Sequence, residues 1–90
     1  MDDLSAKIEA LLFSEGGSLP KKKIAQLLDA QQAQVDEALS KLRARLEGGG
    51  LTLVVSDTEA ALVVAAPVAP AVQKAFEREL GREIGDAGIE

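Results

Sequence analysis

The 90-residue sequence contains neither cysteine nor histidine, so it lacks two residue types on which much protein chemistry depends. Without cysteine there are no disulfides and no thiolate metal sites. Without histidine, the usual general acid or base near neutral pH is missing, and a transition-metal site would need carboxylates alone. We therefore expect no enzymatic activity, no catalytic residue, no metal and no cofactor.

Aromatic residues and long apolar runs are also scarce. Phe13 and Phe76 are the only aromatic residues, so the core has to be built from Leu, Ile, Val and Ala. No apolar run reaches the about 18 residues of a membrane span. The acidic start at Met1–Leu4 is unlike the basic start of a signal peptide. These features predict a small cytoplasmic domain without membrane contact.

Periodic apolar residues divide the sequence into helices and strands. Spacings of three and four residues predict four amphipathic helices, and two β-branched runs joined by a polar turn predict an antiparallel hairpin. Ser18 is predicted as the N-cap of the second helix, with Pro20 in its first turn. The predicted bounds are 3–14, 20–28, Gln32–Glu47 and 70–81 for the helices, and 51–55 and 61–65 for the strands.

This order of elements is typical of an α+β winged helix. It comprises a three-helix bundle, a two-stranded β-hairpin wing and a C-terminal helix. We expect the winged-helix domain to occupy residues 1–81. Residues 82–90 are expected to be a linker or the start of a second domain.

The predicted wing has two apolar faces. Pairing about the Thr58–Glu59 centre places Val54 opposite Val63 and turns a larger apolar face toward the core. The other face should meet water in a two-layer domain, yet it is nearly all apolar as well. This outer wing face consists of Thr52, Val54, Ala61, Val63 and Ala65.

Three arrangements of the outer wing face remain open. Val68, Val72 and Phe76 of the last helix cover it from within the chain, a partner chain covers it, or it stays exposed. A symmetric homodimer would place the same patch on both subunits. For that arrangement the candidate interface residues are Val54, Val63 and Ala65.

The charges give little support to DNA binding. Acidic residues outnumber basic ones by 15 to 10, which gives a net charge of −5, and the wing tip carries Asp57 and Glu59 but no base. Nucleic-acid binders need positive charge to neutralise phosphate. The one basic cluster is Lys21, Lys22 and Lys23, which is either a solvated surface or a contact for an acidic partner or DNA backbone.

Several segments together resemble one bacterial family. The run Ile8-Glu9-Ala10-Leu11-Leu12-Phe13-Ser14, followed by Leu19-Pro20, is similar to the opening of segregation and condensation protein B. The stretch from Val35 to Val54 resembles that family's third helix and first wing strand. The stretch from Ala61 to Phe76 resembles its second wing strand and the helix after it, so the similarity covers residues 4–81. One departure is Glu59-Ala60-Ala61, where the family often has glycine and then an aromatic residue.

The resemblance implies a non-catalytic role in chromosome segregation and condensation. It implies a homodimer formed through this domain, and binding to the kleisin subunit, segregation and condensation protein A. The kleisin contact of the family rests heavily on a second winged-helix domain. Through the kleisin such a subunit acts on the chromosome-structuring SMC ATPase, so it is cytoplasmic and associated with the nucleoid. The alternative is a winged-helix transcriptional regulator that reads DNA with its third helix.

Overall fold

The structure, a computed structural model, describes the backbone of residues 3–88 and the side chains of residues 3–80. Within that range it contains four α-helices, a three-stranded antiparallel sheet and one short 3-10 turn. This confirms the predicted α+β fold class. The elements are α1 Asp3–Ser14, β1 Ser18–Pro20, α2 Lys21–Leu27, α3 Gln32–Leu46, β2 Leu51–Val55, β3 Glu59–Val64, the 3-10 turn Ala66–Val68 and α4 Ala69–Gly88.

An aliphatic core joins the first three helices to one face of the sheet. The buried residues of α1 and of α3 are spaced by three or four, which places them on the same side of each helix, and α2 contributes Ile24. Because no aromatic residue takes part, the core depends on close packing of branched aliphatic side chains. The buried cluster consists of Ile8, Leu12, Leu19, Ile24, Val35, Ala38, Leu39, Leu42, Leu53 and Ala60.

The sheet has one strand more than the sequence predicts. Ser18 is not a helix N-cap: it pairs with Ala61 as part of β1, and Pro20 is the N-cap of α2. Proline fits here because its φ of −64° suits both an extended edge strand and the residue before a helix. The strand order is therefore β1-β3-β2, with β3 in the centre.

The register of the wing also differs from the prediction. Leu53 lies opposite Leu62, and Val54 lies opposite Ala61 rather than Val63. The turn is tighter than predicted, because the Ser56 amide donates to the Glu59 carbonyl over 2.9 Å. The shift is two residues, and side chains alternate with a period of two, so the predicted inner and outer faces are unchanged.

The last helix is longer than predicted. The sequence predicts a helix over 70–81, whereas α4 runs from Ala69 to Gly88. Gly81 and Gly85 lie within this helix. Glycine weakens a helix by about 1 kcal/mol per residue, a cost that does not by itself end the helix. The domain boundary predicted at residue 81 stays a prediction.

We predict that Gly17→Ala destabilises the fold by about 1–2 kcal/mol, because the substitution places a side chain in the left-handed region. Gly17 has a φ of 102°, and an added Cβ would lie 3.3 Å from the Leu62 carbonyl oxygen. Gly50→Ala is the matched control, since an added Cβ at Gly50 meets no atom within 4 Å. Urea unfolding measures both variants. Equal losses of stability would contradict this account of Gly17.

Candidate interaction surfaces

The inner face of the sheet is buried at its centre, whereas Leu51 and Val64 at the end of that face are 42% and 40% exposed. Leu53 and Ala60, on the inner face, are only 1% and 0% exposed. Val54 and Val63, on the outer wing face, are 54% and 38% exposed. The neighbouring side chains on that face, Thr52 and Ala61, are partly exposed and uncharged. The structure thus places two predicted interface residues, Val54 and Val63, on an apolar surface that its own chain leaves open.

Ala65 occupies a different position from the other two predicted interface residues. It follows the end of β3 and is buried within the chain. Its amide donates to the Gly50 carbonyl over 2.9 Å, and its carbonyl accepts from the amides of Val68 and Ala69 over 3.0 Å each. Ala65 therefore shapes the turn that leads into α4 and offers little surface to a partner.

The C-terminal helix does not cover the outer wing face. Phe76 and Leu80 are 64% and 52% exposed, and no α4 side chain within the described range is buried. Of the three arrangements left open by the sequence, the one in which Val68, Val72 and Phe76 cover the wing from within is therefore not found in the structure. The physical reason is the rigid exit from β3, where the 3-10 turn and two prolines direct the chain away from the wing.

Helix α4 consequently has an apolar stripe of its own. Val72, Phe76 and Leu80 recur every four residues and lie on one side of the helix. From the sequence alone, Val72 and Phe76 are candidates for covering the outer wing face. The pair Pro67 and Pro70 was the signal that could have indicated otherwise, because prolines so close together limit the directions in which the chain can continue.

The three lysines of the basic cluster do not form one patch. Lys21 is largely buried: its Nζ lies 3.4 Å from the Asp36 carboxylate, and its amide donates to the Thr58 carbonyl over 2.7 Å. Lys21 thus connects α2 to α3 and to the wing tip. Lys22 and Lys23 are exposed, and a role for them toward an acidic partner stays a prediction.

A cleft of about 360 Å³ lies between α3 and the wing tip, beside Lys21. Its lining has both signs of charge, with Arg43 and Lys21 near Asp36 and Asp57. A strongly charged ligand would meet attraction and repulsion together in this cleft. The cleft therefore does not identify a ligand.

The charges of α3 do not form a DNA-reading surface. The Arg45 guanidinium donates to the Glu9 carboxylate over 2.8 Å, so this base is paired with an acid of α1. Asp57 and Glu59 are exposed at the wing tip, where a DNA-binding wing would approach phosphate. These positions favour a protein partner over DNA.

A further exposed aromatic residue was not singled out by sequence reasoning. Phe13, near the end of α1, is 78% exposed although it lies in the apolar run that begins at Ile8. The helical spacing gives the reason, because Ile8 and Leu12 share the buried side of α1 and Phe13 is turned about 100° from Leu12.

Among the described residues there is no cluster of metal-binding side chains. In the same part of the chain, no helix combines the length and the apolar character of a membrane span.

We predict that Lys21→Ala lowers the free energy of unfolding by about 0.5–1 kcal/mol, since it removes a partly screened ion pair. Lys22→Ala is the control and should change it by less than about 0.5 kcal/mol, as expected for an exposed side chain. Chemical denaturation followed by circular dichroism compares the two. An equal decrease in the free energy of unfolding for both variants would contradict the structural role assigned to Lys21.

Comparison with known proteins gives a family match and seven matches to chains of solved structures, two of which are described below. The family model described as "Segregation and condensation complex subunit ScpB" matches residues 6–90. A crystal structure of the dimer of the ScpB N-terminal domain complexed with ScpA peptide is 28% identical, with a TM-score of 0.69. That match covers 78% of this chain and 90% of the other. No curated protein matches the sequence.

The second structural match concerns the fold. ScpB from Mycobacterium tuberculosis has a TM-score of 0.77 at 21% identity, over 89% of this chain. This chain spans only 52% of that protein's length. At this identity the similarity shows a shared backbone arrangement, which agrees with the winged-helix architecture predicted from the order of elements.

Proposed function

This chain belongs to the family of the segregation and condensation complex subunit ScpB, and on that premise we propose that it is a non-catalytic interaction domain of a chromosome segregation and condensation complex. It acts by forming a homodimer and by binding the kleisin subunit, segregation and condensation protein A. The kleisin links it to the SMC ATPase. The domain is cytoplasmic and reaches the nucleoid through this complex.

The observation that carries the proposal is the apolar surface left open on so small a chain. Val54 and Val63 on the outer wing face, together with Phe76 and Leu80 on α4, are substantially exposed. Fully burying one such side chain contributes about 1.5–3 kcal/mol, so a few of them are enough to drive association. Exposed apolar patches on soluble domains mark protein interfaces more often than other sites.

The relative with 28% identity supports both partners. Its structure contains a dimer of the corresponding N-terminal domain and a ScpA peptide bound to it. The match covers 90% of that chain, so this chain corresponds to nearly the whole of that N-terminal domain. We therefore place both homodimerisation and kleisin binding in this domain.

Charge supports protein partners over DNA. The sequence has a net charge of −5, and Arg45 and Lys21 are engaged in ion pairs within the chain. Association through apolar side chains does not depend on phosphate neutralisation, so it should persist or strengthen at high salt. DNA binding would weaken steeply under the same conditions.

We predict that Val63→Glu raises the dimer dissociation constant at least about tenfold, because it buries a carboxylate without a partner. The helical content should be unchanged, since the position lies outside the core. Gln26→Glu, on the exposed side of α2, is a control that adds the same charge. Sedimentation equilibrium over a dilution series measures both. A Val63→Glu chain that is as dimeric as its parent would show that Val63 is not at the interface.

We also predict that the chain binds a kleisin peptide from its own organism. Isothermal titration calorimetry with that peptide should show saturable binding at about one peptide per one or two chains, with a negative heat-capacity change from apolar burial. A scrambled peptide of the same composition is the control. Equal heats of binding for the kleisin peptide and the scrambled peptide would show that the chain does not recognise the kleisin sequence.

A further inference from the structure

Two apolar surfaces are exposed on the same chain, and the chain itself does not bring them together. One is the outer wing face around Val54 and Val63, and the other is the α4 stripe of Val72, Phe76 and Leu80. We propose that α4 of one copy packs on the outer wing face of a second copy, and that the second copy returns the same contact. This inference rests on the proposed homodimer and assigns the surfaces that form it.

The connection between the two surfaces is short and stiff, and within the chain the two surfaces remain exposed. The Ala65 carbonyl accepts from two consecutive donors, the amides of Val68 and Ala69. Pro67 lies inside the 3-10 turn and Pro70 in the first turn of α4, and each has a fixed φ. This short, stiff connection turns α4 away from the wing beside it. The outer wing face of another copy is free of that constraint.

The two surfaces match in chemistry. Lys74 and Arg78 each lie two residues from Phe76, so they project from the opposite side of α4. On one flank of the stripe, Gln73 donates to the Glu77 carboxylate over 3.4 Å. On the wing, Thr52 and Ala61 complete an uncharged patch beside the two valines. Two exposed carboxylates border these surfaces: Glu79 lines a hollow on α4 with Val72, Ala75 and Phe76, and Glu59 lies two residues before Ala61 on the same face of β3. We place both carboxylates at the solvent-accessible rim of the contact, where they keep their hydration, so that the apolar centre avoids the usual desolvation cost.

Area favours a second copy over an unrelated partner. Stable interfaces bury about 800 Å² on each partner, and one short helix on a small sheet face provides only part of that area. A two-fold axis repeats the contact, since each copy donates α4 and receives the partner's α4. The symmetric exchange thus covers both surfaces at once. An unrelated partner on either surface would leave the other exposed.

The lack of cysteine in the sequence allows a direct test by disulfide trapping. Two full-length variants, Val63→Cys and Phe76→Cys, carry different affinity tags and are mixed and oxidised. The proposal expects the mixed-tag dimer to exceed either same-tag dimer by at least about tenfold, because only the wing and α4 approach each other across the interface. Val63→Cys mixed with Gln26→Cys is the matched control and should give no excess of the mixed dimer.

Charge complementation provides a second measurement that does not depend on trapping. Val63→Glu and Phe76→Lys should each weaken association alone, whereas their mixture should associate at least about tenfold more tightly than either, as expected for one intact contact plus one opposite-charge pair. If the parent chain is dimeric but oxidation links Phe76→Cys only to another Phe76→Cys, the exchange is wrong and the homodimer stands. The same conclusion follows if mixing Val63→Glu with Phe76→Lys does not tighten association. A parent chain that sediments as a monomer at high concentration overturns the homodimer itself.

Discussion

The packing of Leu53 and Ala60 against the helices is the interaction on which the other surfaces depend. These two residues are almost fully buried and hold the sheet to α1 and α3. Once one face of the sheet is committed to the helices, a two-layer domain has no further layer for the opposite face. The exposure of Val54 and Val63 follows directly, because alternate residues of a strand point to opposite sides.

The electrostatic arrangement favours a protein partner over DNA. The fold alone does not assign a ligand, since the same architecture serves both protein and nucleic-acid partners. Here two bases of the helices are tied to acids of neighbouring helices, in the pairs Lys21–Asp36 and Arg45–Glu9. These pairs connect elements of the domain to one another, while the apolar surfaces remain available to partners.

Much of the fold was predictable from periodicity, and the errors have physical causes. The three bundle helices and the faces of the wing follow from spacings of 3.6 and 2, which depend only on local geometry. The strand β1 was missed because Ser18-Leu19-Pro20 also fits a helix start, and only pairing with β3 decides between the two. The wing register was wrong by two residues because the Ser56–Glu59 turn was not evident from composition. The position of α4 depends on the direction of the connection that follows β3. Periodicity carries no information about that direction.

The short strand β1 has a consequence for the order in which the domain assembles. Its partner β3 lies far along the chain, whereas β2 and β3 are joined by a tight turn. Closing a long loop costs more entropy than closing a short one, so the hairpin is expected to form first and β1 to join a sheet that already exists. The Leu62 amide, which donates to the Gly17 carbonyl over 2.7 Å, reports on that late step. In the native protein its hydrogen exchange would therefore follow the local opening of β1 rather than global unfolding.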